Sequence, residues 1–189
     1  MLVLLDGKRG DIDSTALAYA ESYFGPATPL RVDAITTHAY LGIGALDPMI
    51  DLTVRKGGGL FVVVRSSNPE GRELQTARTA SGLTVAASLC REITERNRAL
   101  TTEEIGPIGA VVGATCEDAA ETVAALPTSF ILAPGVGAQG ATIQDIRDRM
   151  PEARGRILAS VSRAILANGT SASDIRTTIR ELQRQMAQL

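Results

Sequence analysis

The stretch SFILAPGVGAQGATIQDIRDRMPEARGRILASVSR, residues 129–163, decides the fold. A short apolar run at 129–132 leads into a loop carrying Gly135, Gly137 and Gly140. A helical pattern follows over 142–150, then a second apolar run at 156–161 that ends at Ser162 and Arg163. Runs this short fall below an ordinary helix and read as buried strands, so the segment is a strand–helix–strand unit of parallel sheet. The glycines let backbone N–H groups approach an anion closely, and a helix start favours negative charge. A dinucleotide fingerprint belongs after the first strand of its domain and needs an acidic ribose ligand downstream. Neither condition holds here, and a monophosphate site is the better reading.

The same unit repeats outward from this stretch. Further apolar runs lie at 2–5, 31–36, 60–64 and 108–112, and amphipathic segments at 13–23, 45–56, 83–97, 116–125 and 173–186. The chain therefore reads as six βα units in a single domain over residues 1–189. Six strands suit an open doubly wound sheet, whereas a (β/α)8 TIM-type barrel has eight and typically about 250 residues. Placement of polar residues favours the barrel, because several strand ends carry functional clusters rather than one crevice. If the last visible strand is the eighth, the glycine loop and Ser162-Arg163 fall on the two loops that often hold phosphate in barrels. The expected fold is thus a (β/α)8 barrel with its first two units missing.

Two clusters complete the set. Asp6-Gly7-Lys8-Arg9-Gly10-Asp11-Ile12 closes the opening strand. The period of two in a strand points Asp6 and Lys8 the same way, and a carboxylate beside an ammonium keeps both ionised. Such a pair suits a proton donor next to a fixed negative charge, although a surface ion pair has the same spacing. Arg65-Ser66-Ser67-Asn68-Pro69 follows the third strand and offers hydroxyls and N–H groups to a planar heterocycle, or forms a plain turn.

Composition narrows the partners. A net charge of −2 gives no basic footprint for nucleic acid. Cys90 and Cys116 stand far apart, which reads as buried reduced thiols, and the single His38 argues against a histidine-based zinc site. No apolar stretch approaches the ~20 residues of a membrane span. The expectation is a cytoplasmic protein without membrane or nucleic-acid partners.

Together the clusters resemble the orotidine 5'-phosphate decarboxylase family, in particular its bacterial branch with an Asp-x-Lys-Arg-x-Asp-Ile signature. The resemblance rests on residues 6–15, Tyr40-Leu41-Gly42, Arg65 to Pro69, residues 109–115, Pro134 to Gly140, and Ser162-Arg163, in the family's order. It implies a cofactor-free, metal-free conversion of orotidine 5'-phosphate to UMP in pyrimidine biosynthesis, by a homodimer with shared active sites. By analogy Lys8 protonates C6 as CO2 departs, and Asp6 crowds the substrate carboxylate and holds Lys8. Asp11, with Ile12 and Thr15, reaches into the neighbouring subunit's site. Ser67 bonds the pyrimidine edge, and Gln139 and Arg163, with Pro134, Gly140 and Ser162 around them, hold the 5'-phosphate. The family's first two units, which supply a ribose-binding Asp and another Lys, have no counterpart before Leu2. Two alternatives stand beside this reading: a phosphosugar lyase on the same barrel, which would need a magnesium-binding carboxylate, and a non-catalytic nucleotide-phosphate-binding remnant.

Overall fold

The computed structural model describes residues 1–137 and 140–187. Six strands form one sheet: β1 (Leu4–Arg9), β2 (Ala34–His38), β3 (Gly59–Arg65), β4 (Ile108–Val112), β5 (Ile131–Pro134) and β6 (Ile157–Ser160). Each pairs in parallel with the next, in the order β1-β2-β3-β4-β5-β6. Parallel neighbours need a crossover, and helices supply it. They are α1 (Asp13–Phe24), α2 (Asp47–Arg55), α3 (Pro69–Thr76), α4 (Val85–Leu100), α5 (Ala119–Ala124), α6 (Ile143–Arg149), α7 (Arg163–Leu166) and α8 (Ala172–Met186).

Alternation along the strands separates two faces. Leu60, Val62 and Val64 of β3, Ile108, Ala110 and Val112 of β4, and Ile131 and Ala133 of β5 are buried on the outer face. There they share one core with Ala16, Ala20 and Phe24 of α1, Met49 and Ile50 of α2, Ala86, Cys90 and Ile93 of α4, and Ile143 and Ile146 of α6. The intervening residues turn to the other side. Leu4, Asp6 and Lys8, Ala34, Phe61 and Val63, Val111, Leu132 and Pro134, and Leu158 to Ser160 line one cavity of about 940 Å³. All six strands contribute to it, so the sheet curls around its inner face. Gly109 lacks a side chain there because a Cβ would lie 2.6 Å from the Phe61 ring.

The six expected strands and their helical crossovers are present, with shifted boundaries. The opening strand is 4–9 rather than 2–5, so the Asp6–Lys8 segment lies within it. The fifth strand is 131–134 rather than 129–132. The expected Ser66-Ser67-Asn68-Pro69 turn proves to be the entry to α3, with Asn68 as N-cap and Pro69 at its first position. Sequence reading missed this helix and the single turn of α7.

Asn97 of α4 ties the crossover to the sheet. It is 1% exposed; its Nδ2 donates to the carbonyls of Ile108 and Thr128 at 2.8 and 3.0 Å, and its Oδ1 accepts the Ile108 N–H at 3.0 Å. Burial also pushes the Cys90 thiol up to about 12, so it is a packing residue rather than a nucleophile. Asn97→Ala leaves buried groups at the head of β4 without partners and is expected to cost about 2–4 kcal/mol. Urea unfolding should show a lower midpoint at unchanged slope.

Candidate active site

The Asp6–Lys8 pair sits on a distortion of β1. Leu5 pairs with Ile35, but Arg9 pairs with Thr37, so four steps on β1 match two on β2. Bulges of this kind re-aim side chains near the ends of sheets. Lys8 has φ +44, a left-handed conformation that a residue with a Cβ adopts at a cost of about 1–2 kcal/mol. Its Nζ lies 2.6 and 2.5 Å from the two carboxylate oxygens of Asp6. Thr36 of β2, fully buried, accepts the Lys8 N–H at 3.0 Å and donates to Asp6 Oδ1 at 2.8 Å. Partial burial raises the Asp6 pKa, but the hydrogen bonds from Lys8 and Thr36 outweigh it and leave the carboxyl below its ordinary value. The Asp6 carboxyl therefore stands ionised at neutral pH, and the Lys8 side chain lines the cavity beside it.

Two strands along the sheet, Ser66, Ser67 and Asn68 form the cavity wall at the end of β3. Gln75 of α3 fixes this segment: its Oε1 accepts the Ser66 N–H at 3.0 Å and its Nε2 donates to Ser66 Oγ at 2.7 Å. Arg65 is turned away, the β3–β4 register slipping between Val63 and Arg65. Its Nε pairs with Asp118 at 2.9 Å with the guanidinium side chain only 7% exposed. Its Nη1 donates to the Ser66 carbonyl and to Gln75 Oε1, at 2.8 and 3.1 Å. Ser67 packs against Gly113, where a Cβ would come within 3.1 Å of it.

The glycine loop and the start of α7 meet. Gly137 has φ +78, and a Cβ on it would lie 2.5 Å from that of Ala164. Pro134 pairs with Ser160 in the ladder just below. Within the loop the N–H groups of Gly137, Gly140 and Ala141 donate to loop carbonyls, so these three amides are engaged. Arg163 and Ser162 are exposed beside the loop. Gln139 lies outside the described residues.

Of the candidate residues, Asp6, Lys8, Ser67 and Pro134 line the shared cavity. Asp11, Ile12 and Thr15 do not; Asp11 and Ile12 stand on the β1–α1 connection and Thr15 in the first turn of α1, with Ile12 and Thr15 exposed. Gly140, Ser162 and Arg163 also lie outside the cavity wall. Arg9 is spoken for: it stacks 5.4 Å from the Tyr19 ring centre and its Nε donates to the Tyr23 hydroxyl at 3.2 Å. Sequence reading missed Thr36, Gln75 and this tyrosine clamp. Tyr19 and Tyr23, one helical turn apart, were the available signal for the clamp; Thr36 sits in an apolar run with none. Among the described residues no three potential metal-ligating side chains come together, and no helix is long and apolar enough to cross a membrane.

Comparison with known proteins agrees with this geometry. Residues 1–178 match the profile of the Orotidine 5'-phosphate decarboxylase / HUMPS family. The orotidine 5'-phosphate decarboxylase of Salinispora arenicola is 47% identical over 175 residues, covering 93% of this chain and 62% of that protein. The Streptomyces coelicolor enzyme of the same name is 42% identical over 176 residues, again covering 93% and 62%. This chain thus spans a little under two thirds of the length of these relatives. A crystal structure from Streptomyces avermitilis superposes with a TM-score of 0.91 at 38% identity, covering 99% of this chain and 65% of that one. The Leishmania donovani OMP decarboxylase gives 0.77 at 28%, covering 98% and 68%. A curled parallel sheet, an ion pair on its inner face and matched residues over most of the length converge: the chain belongs to the orotidine 5'-phosphate decarboxylase / HUMPS family.

Proposed function

We propose that this chain carries the proton-donating and phosphate-binding parts of a cytoplasmic orotidine 5'-phosphate decarboxylase, a carboxy-lyase of UMP biosynthesis that works without cofactor or metal. The observation that carries the reading is the Asp6–Lys8 pair on the cavity wall, fixed from β2 by Thr36. In the reaction, the bond between C6 and the carboxylate breaks and its electron pair stays on C6. CO2 leaves, and Lys8 Nζ delivers the proton that quenches the carbanion. An ammonium is most useful where negative charge develops, so its effect falls on the transition state rather than on substrate binding. Asp6 holds Lys8 Nζ in place through both carboxylate oxygens and puts negative charge near the departing carboxylate. Ser67 reads the pyrimidine edge from the wall at the end of β3. Gln139, Ser162 and Arg163 hold the 5'-phosphate, with Pro134 and Gly140 beside them; the amides of Gly137, Gly140 and Ala141 shape the loop rather than bind the anion, because they donate within it.

Two further parts of the reading concern completeness. The inner face still presents apolar surface, with Leu158 and Phe130 each 42% exposed and Leu2 86% exposed. Two more strand–helix units would bridge β6 to β1, cover these residues and close a (β/α)8 barrel; the greater length of the relatives leaves room for them. A second copy of the chain would use Asp11, Ile12 and Thr15 in a shared site. In support, Ile12, Tyr40 and Leu41 expose apolar side chains on the β1–α1 and β2–α2 connections, which touch where Gly10 meets His38. The lyase alternative lacks comparable support, since the curated relatives bear the decarboxylase name.

Loss of orotidine 5'-phosphate absorbance tests the reading. In a barrel supplied with the two further units, Lys8→Ala should lower kcat by roughly 10⁴-fold, the upper end for a positioned proton donor, while UMP affinity stays close to the parent's. Parallel losses in both would make Lys8 a simple binding residue. The 189-residue chain alone should turn over far more slowly than the closed barrel. Turnover equal to the relatives' would refute the barrel-closure part.

The phosphate loops give a separate test. Gly137→Ala introduces a left-handed alanine and a clash with Ala164, and is expected to weaken UMP binding about tenfold, equivalent to roughly 1.4 kcal/mol. Uridine binding should be unaffected, and adding Ala164→Gly should recover part of the loss. Calorimetric titration of both ligands distinguishes these outcomes.

A further inference from the structure

We propose that Thr36 is a positioning residue of the site, a single buried hydroxyl that sets both the Asp6 carboxylate and the Lys8 backbone. The backbone ladder between β1 and β2 loses register from Leu5 to Arg9, and within that interval the Lys8 N–H turns to the Thr36 hydroxyl at 3.0 Å. A side chain on β2 thus takes the place of a ladder carbonyl. The same hydroxyl spends its one proton on Asp6 Oδ1 at 2.8 Å, so donor and acceptor roles are both used and its rotation is fixed.

The consequence runs through geometry. Lys8 keeps its left-handed φ of +44 only while something outside β1 holds its amide. Asp6 presents both oxygens to Lys8 Nζ only while one of them is also held from β2. Without the hydroxyl the bulge can relax toward regular strand and carry the ammonium away from the reacting carbon. The neighbouring residue is an internal contrast. Thr37 is equally buried, yet its hydroxyl has no hydrogen-bond partner among the described residues. A threonine in this strand is therefore not engaged merely by being there.

The test compares Thr36→Val, Thr36→Ser and Thr37→Val with the parent in the full 189-residue chain. Two readouts do not depend on activity: the Asp6 carboxyl titration followed by carbon NMR, and hydrogen exchange of the Lys8 amide. Thr36→Val should move the Asp6 titration to higher pH and open the Lys8 amide to exchange. Thr36→Ser should retain parental behaviour in both, and Thr37→Val should change neither. In the closed barrel Thr36→Val should lower kcat by roughly 10²-fold with little change in KM, as expected for a misplaced reacting group, and Thr36→Ser should restore most of it. Should Thr36→Val fail to fold, Thr36→Ala is read in the same way. An unchanged Asp6 titration in the variant lacking the hydroxyl, or a serine variant that behaves like valine, overturns the proposal. This inference rests on the decarboxylase reading for its kinetic arm alone. A barrel that releases no CO2 would defeat that reading, while the titration and exchange data would still decide the role of Thr36.

Discussion

Everything in this molecule depends on six strands running the same way. Parallel pairing in sequential order forces every connection back across the outer face, which puts all strand ends on one rim. The rim is then the place where chemistry can gather from distant parts of the chain. Asp6 and Lys8 arrive from β1, Ser67 from the end of β3 and Pro134 from β5, though up to 128 residues separate them in sequence (134 − 6). No local contact could assemble such a set. The outer face meets the energetic requirement, burying aliphatic side chains of the strands against the helices, and leaves the inner face free to carry polar groups.

Where the site is polar, the regular ladder gives way. β1 bulges at Asp6–Lys8, β3 slips before Arg65, and Gly137 adopts a left-handed turn above β5. Each irregularity re-aims one group. The first turns an ammonium to the cavity, the second removes a guanidinium from it, and the third lets two loops approach. Arg65 and Arg9 show the same economy from the other side. Both are cations of apparent binding motifs, and both are held by neighbouring elements, one by Asp118 and Gln75 and one by two tyrosines. Net positive charge at the cavity is thereby narrowed toward Lys8.

How legible this was in the sequence follows from whether a feature is local. The six βα units could be read because buried parallel strands leave apolar runs and amphipathic helices leave a period near 3.6. The companionship of Asp6 and Lys8 was also read, but from regular strand alternation, and the actual cause is different. The strand is bulged there, and the two side chains meet because β2 supplies Thr36. A register break belongs to a pair of strands and leaves no mark in one of them. α3 was missed although Asn68 and Pro69 are ordinary helix-start residues, because a short polar segment after two serines also satisfies the description of a turn. Gln75 had no signal at all; its importance comes from what the folded chain brings to it.

The Arg65 anchorage has a consequence for anyone who treats the rim as a set of exchangeable loops. Loop grafting between barrels assumes that a connection can be lifted out at its strand and helix ends. Here the connection after β3 is fastened to α3 through Gln75 and to the next connection through Asp118. Carried alone into another barrel, residues 66–68 would leave behind Gln75 and Arg65, which here hold the Ser66 N–H and carbonyl. The transferable unit is larger: the strand end, the whole of α3 and the acidic residue ahead of α5. A library that randomises only the three rim side chains would keep this frame, because Arg65 and Gln75 grip the backbone of Ser66; one that also varies Arg65, Gln75 or Asp118 would break it.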